Sequence, residues 1–182
     1  AQTVSDIVNG LFNEIGLPSN ILESLKSNRT ISGELRRAAI RSVTLTANNP
    51  ELLAKRAWET VRKPNATDKG YANALMLAQK AYELKNTNLG YRAAVASALY
   101  RTGAFGEALV MLEELQELSW SSKSEPHPEG EIFLAMAAYQ LGDLDKANET
   151  LMELEPLMDR PLWTRLAGGL FEEAKSLIQL GD

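Results

Sequence analysis

Part of this chain occurs twice, and that repetition constrains the fold more than any other feature. A shift of 39 residues lays VASALYRTGAFGEALVMLEEL over LAMAAYQLGDLDKANETLMEL. Val95 then falls on Leu134, Ala96 on Ala135, Tyr100 on Tyr139 and Gly103 on Gly142. Phe105 falls on Leu144, Ala108 on Ala147, Leu112 on Leu151 and Leu115 on Leu154. A shift of 34 residues lays YANALMLAQKAYEL over FGEALVMLEELQEL, so that Tyr71 meets Phe105 and Ala74 meets Ala108. The matched residues describe one physical unit. Alanines stand where two helix backbones approach, and a glycine stands where the chain reverses in the left-handed region just past a helix end. An apolar residue two positions later closes the pair. Such a hairpin cannot bury its apolar face alone, so successive hairpins must stack.

The rest of the chain fits helices as well. Ala and Leu dominate the apolar 45% of its 182 residues, and no useful run alternates apolar and polar residues as a strand would. SDIVNGLFNEIG and PSNILESLKS open with Ser5 and Pro18 at helix starts. SGELRRAAIRSVTLTA spaces Leu35, Ala39 and Val43 four apart, and Asn49–Pro50 reads as a cap followed by a proline in the first turn. KPNATDKG and SWSSKSEPHPEG are the two long breaks. The expectation is an all-α chain.

The pattern across Ala96–Leu115 and Ala135–Leu154 resembles the tetratricopeptide repeat, a helix–turn–helix unit of about 34 residues. The likeness covers residues 71–157 and extends over 50–63, although Arg92 and Glu131 stand where that repeat usually carries a first-helix tryptophan. It implies a right-handed α-α superhelix of antiparallel hairpins with about ten helices. Residues 1–48 would form an atypical helical segment packed on the array. Residues 49–182 would form the repeats, with Trp163, Leu166, Leu170 and Phe171 in a terminal capping helix. RAAIRSV, AWETVRKP and the Pro/Ser insertion are further similar to the repeat regions near the C-termini of large bacterial proteins that carry serine/threonine-kinase or WD-repeat modules. The opening AQTVSD, without initiator Met or leader, agrees with a piece of a longer polypeptide.

The resemblance implies a noncatalytic scaffold that takes a protein or peptide ligand on the concave face of its first helices. The outward neighbours there include Ala93, Ser97, Tyr100, Arg101, Ile132, Met136, Tyr139 and Gln140, of which Ser97, Tyr100, Arg101, Met136, Tyr139 and Gln140 are the candidate groove residues. Tyr100 and Tyr139 either line the groove or pack between neighbouring repeats. A clamp for a C-terminal carboxylate needs Lys and Asn on these helices, and Ala93, Ser97, Ile132 and Met136 do not supply it. The alternatives are an oligomerisation or structural spacer that self-associates, or a regulatory domain attached to a serine/threonine kinase.

TGAFGEALVML superficially resembles a kinase glycine loop, but Arg101 stands in the first glycine's place. No Val-Ala-x-Lys, His-Arg-Asp or Asp-Phe-Gly follows. His127 in EPHPEG, with Glu125, Glu129 and Glu131, is one histidine without a second, and reads as an exposed loop residue. Glu113/Glu114 and Glu172/Glu173 read as solvated helix faces. No catalytic set, metal site or cofactor site is expected. Trp58 and Trp163 fall on core stripes, whereas Trp120, beside a Ser-rich loop, is a contact candidate.

Charge and sequons add little to this. Residues 1–69 hold 10 Lys/Arg against 7 Asp/Glu, and residues 70–182 hold 9 against 17. Arg29, Arg36, Arg37, Arg41, Lys55 and Arg56 form either a solvated face or a surface for an acidic partner. The acidic remainder argues against nucleic acid. No apolar run reaches the roughly 18 residues of a membrane span, and with no cysteine the chain carries no disulfide framework. A cytoplasmic location is the expectation. The sequons at Asn28, Asn65 and Asn148 carry little information.

Overall fold

A computed structural model describes residues 3–121 and 127–179. Among these the chain is all-helical, with ten α-helices and no strand. They are α1 (Val4–Ile15), α2 (Pro18–Ser27), α3 (Gly33–Ala47), α4 (Pro50–Val61), α5 (Asp68–Leu84), α6 (Leu89–Arg101), α7 (Phe105–Ser121), α8 (Pro128–Gln140), α9 (Leu144–Leu154) and α10 (Pro161–Gln179). A single 3₁₀ turn, Glu155–Leu157, separates the last two.

Local chemistry sets the ends of these helices. The α1 cap is Thr3, one residue outside the helix and not Ser5. Its hydroxyl accepts from the Asp6 amide while the Asp6 carboxylate accepts from the Thr3 amide, a reciprocal capping box. Asn49 caps α4 ahead of Pro50, and Thr67, Asn88 and Asp143 cap α5, α6 and α9 through their side-chain oxygens. The two turn glycines behave alike. Gly103 has φ +86° and Gly142 φ +85°. In each turn the glycine amide donates to the carbonyl three residues back, and the next amide donates five back: Ala104 to Leu99 and Asp143 to Ala138, both at 3.0 Å. This is the paired bonding that closes a helix C-terminus with a left-handed residue.

Three hairpins result, α4–α5, α6–α7 and α8–α9. Each helix also touches the next hairpin: α5 packs on α6, α7 on α8, and α4, α6, α8 and α10 contact one another in succession. Preceding them, α1 lies against α3 and α5, and α3 against α4. Asn73, buried on α5, fixes that junction by donating to the carbonyls of Phe12 and Asn13 at the end of α1, the second of which the helix terminus otherwise leaves without a partner.

The second and third helices of the inner row, α6 and α8, are enclosed on every side. Residues 93–100 of α6 and 129–138 of α8 are buried without interruption. A helix apolar around its whole circumference has no solvent face and belongs in an interior. Alanines at 93, 94, 96 and 98 and at 135, 137 and 138 let the neighbouring backbones approach, while Phe133, Ile132, Leu134 and Met136 fill the space between hairpins. At the far end Trp163, Leu170, Phe171 and Ile178 of α10 cover α8.

Candidate functional site

The interior position of α6 and α8 relocates most of the groove residues expected from sequence. Ser97 and Met136 are wholly buried and Tyr100 is 7% exposed, so these three pack between hairpins rather than face a ligand. The Tyr100 ring lies against Phe105 and Phe133, with centroids 5.2 and 5.3 Å away. Burial raises its phenol above the ordinary value, while hydrogen bonding to Gln140 and the charge of Arg101 act in the opposite sense. Tyr139 is half-buried at the core edge, and Gln140 is exposed at the end of α8.

Arg101 is the most changed of the six. Its side chain is only 6% exposed. Nε donates to the Val61 carbonyl at the end of α4 at 2.8 Å, while Nη1 and Nη2 donate to the two oxygens of Glu173 on α10 at 2.5 and 2.8 Å. The guanidinium also lies within 6 Å of the rings of Tyr71, Tyr100 and Phe133. It is an internal tie that links the first hairpin, α8 and the terminal helix. Glu173 is therefore half-buried and paired, not part of a solvated face. Glu113 and Glu114 likewise take Lys146 and Arg92 as partners.

The cavity of interest lies elsewhere, where α4, the start of α6, the end of α7, the start of α8 and α10 converge. Its volume is about 490 Å³, within the usual range for ligand pockets. Leu89, Ala93, Leu112, Leu115, Pro128 and Leu166 supply apolar walls, and Trp58, Arg62, His127, Glu129 and Glu131 supply the polar and aromatic ones. Gly90 and Gly130 keep the floor low. A Cβ on Gly130 would meet Ala93, Leu112 and His127 at 3.7–3.8 Å, and one on Gly90 would meet the His127 ring at 3.7 Å.

His127 is not the exposed loop residue expected of it. It occupies the N-cap position of α8, and its ring stacks on Trp58 with centroids 5.1 Å apart and planes 10° from parallel. Burial pushes its basicity below the ordinary value, a shift that Glu129 opposes and Arg62 reinforces. Two residues on, Glu129 is 1% exposed, and its Oε1 accepts from both Nε and Nη2 of Arg62, the former at 3.0 Å. Its Oε2 lies 3.2 Å from His127 Nδ1, yet neither atom has an aligned hydrogen-bond partner. Glu131, one turn along the same wall, accepts from Gln116 Nε2 at 2.9 Å, and burial raises its carboxyl above the usual range. Glu125, the remaining acid near His127 in sequence, lies outside the described residues. No group of three or more His, Cys, Asp or Glu suited to a metal ion occurs among the described residues.

The sequence reading missed this cavity because its walls come from five helices. The signal available was a local one. EPHPEGEIF puts two acids and a histidine in the first turn of a helix that is otherwise apolar all round. Trp58 is buried as expected but forms a cavity wall, Trp163 is in the core, and Trp120 is 63% exposed at the end of α7. The basic N-terminal side chains differ in their surroundings. Arg56 lies 4.0 Å over the Phe12 ring and Arg36 bonds to the Asn28 carbonyl, while Arg29, Arg37, Arg41 and Lys55 are exposed. No described helix is long and apolar enough to cross a membrane. Comparison with protein-family models, with curated proteins and with solved structures returns no match.

Proposed function

We propose that this chain is a tetratricopeptide-like interaction module, a right-handed stack of helical hairpins that binds a peptide segment of another protein without catalysing a reaction. Three features support the reading: the internal repeat, the two matching glycine turns, and contacts that run from each helix to the next hairpin. The observation that carries the binding role is the cavity between α4, α6, α7, α8 and α10, largely apolar but rimmed by a few fixed polar groups. Residues 93–100 of α6 and 129–138 of α8 are buried among neighbouring helices, so this reading puts the ligand at the start of these helices, where the cavity lies.

Selection of a randomised peptide library on the immobilised chain tests the reading. Peptides that bind and are lost on Ala93→Met, which fills the cavity from a position 1% exposed, support it. Failure to select any peptide, or binders indifferent to Ala93→Met in a variant with unchanged circular dichroism, would remove the basis for it.

A further inference from the structure

The polar groups on the walls of this cavity face one another rather than an occupant. Two nitrogens of Arg62 donate to Glu129 Oε1, so that pair is balanced within the wall. Glu129 Oε2 and His127 Nδ1, 3.2 Å apart, are closed to water while the cavity is empty, and an occupant neither reaches them nor takes water from them. Glu131 accepts from the neutral Gln116, and burial already favours its protonated form. The surface that the walls do offer is mostly hydrocarbon, from Leu89, Ala93, Leu112, Leu115, Pro128 and Leu166. A lysine seated there would exchange its hydration for one carboxyl that burial inclines toward neutrality. A glutamate would meet two carboxyl groups and an arginine that is already engaged. An apolar side chain gives up no hydration of its own and removes hydrocarbon on both sides from water. At about 490 Å³ the cavity has room for the largest apolar side chains, and an alanine would leave most of it empty.

We infer that the cavity is the seat of a large apolar side chain of the bound peptide, a leucine, methionine or phenylalanine, held by burial against the leucine wall and not by charge. The inference rests on the peptide-binding reading and specifies its ligand. Arg62, Glu129 and Glu131 then act on the occupant only by exclusion, because a charged side chain finds no free partner among them.

The test is an NMR titration of the full chain with single capped amino acids, the Nα-acetyl methylamides of norleucine, alanine, lysine and glutamate. Norleucine is shaped like methionine and shares lysine's carbon stem without its charge. It is expected to shift the Gly90 and Gly130 amides and the Trp58 indole saturably, at least about tenfold more tightly than each of the other three. Glu131→Gln is expected to leave norleucine binding as tight or to tighten it, since no wall charge serves the occupant. The comparison of probes on the unmodified chain decides the matter even if that variant disturbs the fold. Three outcomes overturn the inference: no saturable cavity shifts with norleucine, any of the other probes bound as tightly, or norleucine binding lost in a Glu131→Gln chain of unchanged circular dichroism. If library peptides still bind and Ala93→Met still abolishes them, the interaction-module reading survives each of these results. Norleucine binding, with no library peptide weakened when its apolar residues are replaced by alanine, would assign the cavity to a free apolar molecule and also overturn the inference.

Discussion

Removing Arg101 should destabilise the whole stack, because one side chain ties together elements far apart in sequence. The guanidinium gives two charge-assisted bonds to Glu173 and one bond to the Val61 carbonyl, inside a cage of three aromatic rings. Each hydrogen bond to a charged group is worth about 1.5–3 kcal/mol net, but Glu173 is partly solvated, so the lower end applies to that pair. Breaking a buried pair by deleting one partner costs about 3–5 kcal/mol, and the partial exposure of Glu173 points to roughly 3 kcal/mol for Arg101→Ala. For a chain of this size that corresponds to a fall of about 6–12 °C in Tm. Glu173→Ala should cost at least as much, about 3 kcal/mol, because it leaves the more deeply buried guanidinium without its counter-charge. The assay is urea unfolding followed by circular dichroism and tryptophan fluorescence, whose coincidence checks two-state behaviour. A double-mutant cycle should return a coupling of about 1–2 kcal/mol. Additive effects, or an Arg101→Ala loss below about 0.5 kcal/mol as for a surface position, would refute the tie.

Other substitutions probe the same architecture by different routes. Gly103→Ala and Gly142→Ala should each cost about 1 kcal/mol or more through the positive φ alone, since a methyl group at either site meets nothing within 4 Å; thermal melts of the two single variants check this. Ser97 is enclosed with its hydroxyl unpartnered, so Ser97→Ala should be neutral or stabilising in urea melts, where a loss of stability would count against that placement. Burial raises the Glu131 carboxyl above its ordinary 4.5, so the folded state holds this proton more tightly than the unfolded chain does. Stability from this group is therefore present below pH about 4.5 and lost as pH rises through the raised folded value. Glu131→Gln should accordingly stabilise the chain at pH 7 and give no gain in acid, as read by unfolding midpoints across pH. The His127 shift has the opposite sign: its lowered basicity costs stability as pH falls below the ordinary 6.5, and His127→Asn should flatten that acid slope.

Much of the local structure was legible in the sequence, and the reason is physical. Helix periodicity, Asn49–Pro50 and the glycines at 103 and 142 act over a few residues, so each element announces itself. The burial of Ser97, Tyr100 and Met136 had a sequence signal as well. AAVASALY and EIFLAMAAY offer no polar face, and a helix with no polar face cannot border an open groove. What no local pattern carried was the long-range pairing. Arg101 and Glu173 are 72 residues apart, and Arg62 and Glu129 are 67 apart. A charged residue in either place reads as a solvated face until its partner is brought to it. His127 reads as a loop residue for the same reason, because its stacking partner Trp58 lies four helices earlier in the chain.

The central claim, that the cavity at the start of α6 and α8 is where this module holds a peptide, is tested most directly by the crystal structure of the chain bound to a library-selected peptide. The account predicts peptide density between Trp58, Leu89, Leu115 and Leu166. A peptide seated on another surface, with the cavity unchanged, would contradict it.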